Sequence, residues 1–379
     1  MKINKLMLTL AVAASAFAAC NKQETTPVVN DNMGNKSIVM NIANLVATKT
    51  ADTQVGATKV ALNNYQVFFS DGSTLYQPKN STAENFTEAQ KFGTYFEDSA
   101  DTTRQFHFLD NNVTKVIVVG NLPEVIKPTE VTTETALRAK INALLAVDDQ
   151  QTVTNLVLYG VDASLERLTN KDDHESTEDQ HPSPVYKAEV NLMPTVARFE
   201  VIGYQYNEGE DAQYDTVMVN NQSLIHYYKK ATVNNEWTVV PSEIDELVIY
   251  NENNVYQNYF IGLDAKGEWY YDDVNVALVP SNEATAAAPS ETQNCYAYHV
   301  YPTEVPSFIF QLTGTDAYGI VTPLYLQTRG FEEIEEIEAG NIYQMTVVFD
   351  DSNLAAAEKC IDVKITVHKW VVTVVTPEF

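Results

Sequence analysis

The chain has 379 residues with 51 acidic and 24 basic side chains, a formal net charge of -27. It has no basic stripe, which argues against nucleic acid as a partner. The hydrophobic fraction of 45%, with 21 Tyr and 15 Phe, is ample for packed cores, and the length predicts two domains. Three cysteines are too few for a disulfide scaffold; one bond between Cys295 and Cys360 and two free thiols are both open.

The first twenty residues have the pattern of a secretory signal peptide. Lys2 and Lys5 form a positive segment before the apolar run Leu6–Val12, which is too short for a stable membrane span. The residues that end in Ala19 before Cys20 match a lipobox, so Cys20 would be the acylated first residue of the exported protein. An ordinary signal peptide cut near Ala19 is the alternative. The residues after Cys20 are polar and predict a tether.

A first strand is predicted at Ser37–Ala43, where Ile38, Met40 and Ile42 alternate with the other residues and predict one apolar face.

The stretch Leu45–Gly56 follows this strand and has no apolar period. We interpret it as a loop in which Lys49 is the sole basic residue between Lys36 and Lys59. A protease specific for basic residues would cut such a loop between Lys49 and Thr50. The alternative is a connection whose lysine is incidental.

The first domain continues with strands and one helix. The predicted elements are a hairpin from Tyr65–Phe69 to Thr74–Tyr76 with Asp71 and Gly72 at its turn, a buried strand at Thr114–Asn121, a helix at Thr133–Val147, and a strand at Asn155–Val161.

The run Lys171–Pro182 is rich in carboxylates and contains two histidines. Its spacing matches neither a calcium loop nor a paired-histidine site, so it predicts a solvated loop between domains and no metal site. Short strands then resume and predict a second sandwich. They are expected at Tyr186–Met193, Ala197–Tyr206, Leu247–Tyr250, Val255–Gly262, Tyr296–Pro302, Phe308–Thr313 and Tyr343–Phe349.

The last stretch, Ile361–Phe379, is a strongly apolar strand pattern whose register changes at His368 and Lys369. Its first part alternates strictly, while the second part has apolar residues on both faces. These are Trp370, Val372 and Val374 on one face and Val371 and Val375 on the other. Such a strand needs a host sheet, either its own or that of a neighbouring molecule.

No motif for an enzyme, zinc site or phosphate loop is present in the sequence. We expect no catalytic residues and no cofactor. The aromatic residues Trp237, Trp269, Tyr270 and Tyr271 could form a sugar-stacking platform, and packing in a core explains them equally well.

Several of these motifs, in this order, resemble the fimbrillins of Bacteroidales, the subunits of type V pili that include the major FimA-type fimbrial proteins. The resemblance covers nearly the whole chain. Its motifs are the lipobox with Cys20-Asn21-Lys22, the strand from Ser37, the basic residue Lys49, the strand Lys115–Asn121, the strand Val196–Val201, the strand Gly340–Met345, and the closing Trp370–Val372.

The resemblance implies a mechanism of assembly. In that family an Arg- or Lys-specific protease removes the lipidated N-terminal segment with its first strand, and the C-terminal strand of another subunit fills the resulting groove. Carried over, Lys49 and Thr50 match the cleavage position, although Arg is the usual residue there. Ile38, Met40 and Ile42 match the strand that is lost, and the tail after Cys360 matches the donor strand.

The expected fold is all-β with one helix in the first domain: two tandem transthyretin-like β-sandwich domains with a C-terminal donor-strand tail. The expected divisions are 1–20 signal peptide, 21–49 tether and removed strand, 50–184 and 185–359 the two sandwiches, and 360–379 the tail. The expected function is a fimbrial shaft subunit, with related subunits, the protease and, before cleavage, the outer membrane as partners. A glycan-binding lipoprotein anchored in the outer membrane is the alternative, and a hydrolase is a more distant one.

Overall fold

The computed structural model describes most of the chain after residue 35. The described residues are 36–43, 46–48, 59–78, 94–96, 103–127, 129–150, 152, 156–168, 184–207, 213–225, 227–244, 270–287, 295–302, 307–328, 334, 336–355, 360–369 and 371–375. The predicted strands at Leu247–Tyr250 and Val255–Gly262 and the acidic run Lys171–Pro182 lie outside them.

The first domain consists of strands with one α-helix and one 3-10 helix among its described residues. The strands are β1 (Lys36–Ile42), β2 (Val46–Thr48), β3 (Lys59–Leu62), β4 (Tyr65–Ser70), β5 (Leu75–Tyr76), β6 (Tyr95–Phe96), β7 (Thr103–Leu109), β8 (Lys115–Gly120), β9 (Leu158–Asp162), β10 (Glu166–Arg167), β11 (Val185–Val190) and β12 (Met193–Pro194). The helix α1 spans Glu134–Asn142, and the 3-10 helix spans Val147–Gln150.

Ten of these strands form two sheets, whereas β2 and β3 pair with residues 371–375 in a third. One has four strands in the order β10-β11-β1-β7, and the other has six, in the order β12-β9-β8-β4-β5 with β6 paired to β4. The central strands β4 and β8 are buried almost throughout, as their continuous apolar sequences predict. A T-shaped contact between Phe69 of β4 and Phe106 of β7, with ring centroids 4.8 Å apart, joins the two sheets across the core.

Sheet pairing places the end of the first domain later than the predicted boundary between residues 184 and 185. Strand β11 pairs with β1 and β10, and β12 pairs with β9. Residues 185–194 therefore belong to the first pair of sheets, although the sequence assigned Tyr186–Met193 to the second sandwich. The sequence could not predict this pairing, because an alternating pattern indicates a strand but not which strand lies next to it in the sheet.

The second domain contains the remaining strands and a short helix. They are β13 (Ala197–Tyr206), β14 (Thr216–Ile225), β15 (Tyr228–Val233), β16 (Val239–Ile244), β17 (Tyr270–Leu278), β18 (Thr285–Ala286), β19 (Tyr296–Val300), β20 (Ser307–Thr315), β21 (Val321–Thr328), β22 (Asn341–Phe349), α2 (Asp351–Ala355), β23 (Cys360–Lys369) and β24 (Val371–Val375).

The core of the second domain lies between two halves of one nine-stranded sheet, whose path is β17-β14-β20-β21-β23-β22-β13-β18 with β19 paired to β13. The halves are joined by β21 and β23, which pair at Gln327 with Cys360 and at Thr328 with Ile361. Aromatic rings from the two halves pack together: Phe310 of β20 contacts Phe349 of β22, with ring centroids 5.9 Å apart. The sheet thus closes on itself as a sandwich.

Helix α1 confirms the predicted helix but is shorter than the predicted Thr133–Val147. Thr133 is its N-cap, and the Thr133 hydroxyl accepts a hydrogen bond from the Ala136 amide at 3.1 Å. Leu137 and Ile141 are fully buried, as the helical period predicts. The helix ends at Asn142, and the apolar period continues through the turn into the 3-10 helix.

Candidate assembly site

Strand β1 lies inside a sheet rather than at its edge. It pairs in parallel with β11, where Ile38 lies opposite Tyr186, and antiparallel with β7, where Ile38 lies opposite Phe106. Both backbone edges of β1 are therefore paired. Removing β1 would leave two facing strand edges without a hydrogen-bonding neighbour.

The predicted apolar residues of β1 are part of the first domain's core. Ile38 and Met40 are fully buried and Ile42 is 3% exposed, whereas Val39 and Asn41 are only partly buried. Burial of such side chains contributes about 1.5–3 kcal/mol each. A groove left by β1 would therefore require another apolar strand with the same spacing to fill it.

The first residues of β1 are held by side-chain contacts. The Lys36 ammonium donates a hydrogen bond to the Val113 carbonyl and lies 4.1 Å from the ring centroid of Tyr186. Burial lowers the pKa of Lys36 from its ordinary value. Ser37 Oγ is 3.1 Å from His107 Nδ1. These contacts tie the start of β1 to β7, β11 and the β7–β8 connection.

The first half of the tail, β23, is an integral strand of the second domain. It pairs antiparallel with β22 from Asn341 opposite Lys369 to Val348 opposite Asp362. Val363 and Ile365 pack against the core, while Val367 is 47% exposed. The apolar side of β23 thus becomes more exposed from Ile365 to Val367.

The second half of the tail, β24, pairs with the first domain of its own chain. Val46, Ala47 and Thr48 of β2 lie parallel to Thr373, Val374 and Val375. On the other side, residues 59–62 of β3 lie parallel to residues 371–374. β23 ends at Lys369 and β24 begins at Val371, next to the predicted register change at His368 and Lys369.

The other predicted site residues fall outside the described residues: Cys20, Lys49, Thr50 and Trp370. Residues Val371, Val372, Val374 and Val375 all lie in β24. The interpretation of Leu45–Gly56 as loop is corrected at Val46–Thr48, which forms β2. A strand of three residues has no detectable period, and what orders it here is its partner β24.

The two domains meet where the hairpin β15–β16 packs on α1. Asn142 Oδ1 accepts a hydrogen bond from the Val233 amide at 2.7 Å. Arg138 and Glu134 of α1 make the other polar contacts with this hairpin. They are Arg138 Nη2 to Asn235 Oδ1 at 2.7 Å, and the Trp237 indole N–H to Glu134 Oε2 at 3.2 Å.

The aromatic residues considered as a sugar platform do not form one at Trp237. Its ring is 8% exposed and its N–H is donated to the buried Glu134, which also pairs with Lys115 at 2.9 Å. Trp237 is therefore a residue of the domain junction. Trp269 lies outside the described residues, and Tyr270 and Tyr271 begin β17.

Within the described ranges, the side chains contain no group of three or more His, Cys, Asp or Glu arranged to hold a metal ion. In the same part of the chain, no helix is long and apolar enough to cross a membrane.

No protein-family model and no curated protein matches this sequence. Its fold is similar to that of a candidate cell adhesion protein of Parabacteroides distasonis, with a TM-score of 0.51, 11% sequence identity, and coverage of 90% of this chain and 98% of that one. This similarity shows a fold shared over nearly the whole length of both chains.

Other structural matches include a candidate cell adhesion protein of Bacteroides eggerthii and a fimbrilin of Porphyromonas gingivalis. The first is 16% identical, with a TM-score of 0.49 and coverage of 93% of this chain and 100% of that one. The second is 9% identical, with a TM-score of 0.45 and coverage of 90% and 99%.

Proposed function

We propose that this protein is a shaft subunit of a type V fimbria that supports adhesion, with a structural rather than an enzymatic role. The observation that carries the proposal is the position of β1, an internal strand with a fully buried apolar face that precedes Lys49 in the chain. The shared fold with a cell adhesion protein supports it.

In the proposed pathway the protein is exported as a lipoprotein acylated at Cys20 and held in the outer membrane by its lipid. An Arg- or Lys-specific protease then cuts between Lys49 and Thr50. The removed segment contains β1 and β2, so the cut would open a groove between β7 and β11. The mature subunit would take its place in a fimbria at the cell surface.

The tail of another subunit is the proposed occupant of this groove. β1 has buried residues at positions 38, 40 and 42, and the tail has apolar residues at the same spacing in Trp370, Val372 and Val374. Because β23 is paired along its length with β22, the segment after Lys369 can be donated without dismantling the second domain.

The experiment compares export, cleavage and assembly in four chains. They are the unaltered protein, a truncation lacking residues 370–379, Lys49→Gln, and the matched control Lys59→Gln. We expect the unaltered protein and the control to mature to an N-terminus at Thr50 and to form ladders on unboiled gels. Residues 1–49 carry five lysines and two acidic residues, so the mature net charge would be -30 instead of -27.

The Lys49→Gln chain should keep its acylated Cys20 and remain monomeric, because β1 stays in the groove. The truncated chain should be exported, folded and cut, because the large sheets of both domains keep all their strands, yet it should form no ladder. A polymer that retains acylated Cys20 would exclude this pathway. A truncated chain that still forms ladders, or that cannot fold, would exclude the tail as the donor strand.

A further inference from the structure

The tail strand β24 lies between the two strands that flank the proposed cleavage position. The three-stranded sheet has the order β2-β24-β3, and all its strands are parallel. β2 ends at Thr48, directly before Lys49, whereas β3 begins at Lys59. The segment of sequence between β2 and β3 therefore contains Lys49, and the tail strand is paired on both sides only while β2 and β3 are both in place.

We propose that β2 and β3 form a holding site for the chain's own tail strand, and that cleavage after Lys49 releases the tail by removing β2. This inference rests on the proposed function and adds a second role for the removed segment. One cut would take away β1, which fills the acceptor groove, and β2, which covers one edge of the donor strand. The uncut subunit would then be unable either to accept or to donate a strand.

The strand pairing indicates that cleavage would weaken the attachment of β24 to the first domain without abolishing it. Three residues of β2 pair with β24, and four residues of β3 pair with its other edge. Val60 and Leu62 of β3 are fully buried, so β3 remains fixed in the first domain after the cut. β24 would change from a central strand into an edge strand, and an edge strand leaves its sheet more easily.

The hold itself is tested in the uncut full-length chain by amide hydrogen exchange. Neighbouring N–H groups of a strand point to opposite edges, so in the double variant Val46→Pro/Ala47→Pro one lost N–H must face β24. We expect the amides of residues 371–375 to exchange roughly tenfold faster or more, given the free energy of a backbone hydrogen bond. The matched control, Val46→Ser/Ala47→Ser, keeps both N–H groups and should exchange at the rate of the unaltered chain. Equal exchange in the proline and serine variants would overturn the proposal.

The consequence for assembly is tested with a cysteine pair. Ala47→Cys/Val374→Cys joins positions that are directly opposite in the register. Thr48→Cys/Val371→Cys is the mismatched control, because Thr48 lies opposite Val375 and the two positions are offset by about 13 Å along the strands, too far for a disulfide. Both chains carry a designed protease site in place of residues 49–55, so that the cut does not depend on Lys49.

We expect the matched pair to oxidise in the uncut chain and the mismatched pair to stay reduced. After the designed cut, the oxidised protein should form no polymer, and a reductant should restore the rate of the unaltered chain. The proposal would be overturned if the matched pair forms no disulfide, or if the oxidised protein polymerises as fast as the protein treated with reductant. A third outcome separates the two proposals. If the matched pair forms its disulfide and the proline variant speeds exchange in the tail, but the cut protein does not polymerise even after reduction, then the holding site is supported and the proposed donor-strand function is wrong.

Discussion

His299 is a fully enclosed histidine at the junction of the two domains. Arg198 has only donors, so the 2.9 Å contact from Arg198 Nη1 makes His299 Nε2 an acceptor. His299 Nδ1 then carries the proton and donates it to the carbonyl of Gln150 in the first domain. Glu200 balances the guanidinium charge through a 2.6 Å contact with Arg198 Nε. The site is built for a neutral imidazole.

This geometry predicts a loss of stability in acid. Burial first, and then the Arg198 charge, lowers the pKa of His299 to about 3. The unfolded chain binds a proton as the pH falls through about 6.5 while the folded chain does not, so the contribution is complete above that pH and declines toward pH 3. Between pH 7 and pH 4.5 we expect His299 to account for about 2 to 3 kcal/mol of lost unfolding free energy.

His299→Gln keeps a donor and an acceptor but does not titrate. Urea unfolding at both pH values should therefore give a smaller loss of unfolding free energy for His299→Gln than for the unaltered chain, even if the variant is less stable at pH 7. His107→Gln, at a partly exposed position on β7, is the matched control. Because it leaves His299 in place, it should keep the larger loss of unfolding free energy seen in the unaltered chain. Parallel pH curves for His299→Gln and the unaltered chain would contradict the assignment.

The sequence predicted well the strands and the helix whose apolar pattern repeats over many residues. The burial of β1 alternates from Ile38 to Ile42, and α1 has a helical period with Thr133 as its cap. β2 has three residues and was predicted as loop, because its order depends on a strand more than 300 positions away in the chain. β11 was assigned to the wrong domain for the same reason, because its partner β1 is also distant in the sequence. The sequence could thus supply the strands of the candidate site, but not the partner of the tail.

The hairpin β15–β16 joins the domains through α1, which predicts that they unfold together. Trp237→Phe/Asn235→Ala removes two junction hydrogen bonds and leaves the buried Glu134 without one of its donors. Each loss costs about 1 to 3 kcal/mol. Scanning calorimetry should give a single transition for the unaltered chain and two separated transitions for the double variant.

Thr232→Ala is a suitable control for the hairpin experiment. Its hydroxyl bonds the Val240 carbonyl within the same hairpin and makes no contact with α1 in the described hydrogen bonds. The control should keep the single transition. If Thr232→Ala also splits the transition, or if the double variant does not, the junction contacts do not couple the domains.

At the level of the whole chain, the sequence predicted a mostly β fold with one helix in its first part, and the structure has this composition. Sequence pattern could not show that the tail returns to the first domain, nor that the second sandwich is one sheet closed through β21 and β23. Both features depend on which strands pair with each other. The sequence pattern of a strand indicates its buried face but does not identify the strand beside it. The net charge of -27 is the other property that belongs to the whole molecule.

That charge predicts how salt affects assembly. The cut would leave subunits of net charge -30, and like-charged subunits repel one another over roughly the Debye length, about 30 Å at 0.01 M salt and 8 Å at 0.15 M. Light scattering of the cut subunit should therefore show elongation that becomes severalfold faster between 10 and 150 mM NaCl. The cleavage rate, measured on gels in the same buffers, is the control that separates cutting from joining. Elongation that slows as salt is added would mean that local attraction between the joined surfaces outweighs the repulsion of the whole subunits.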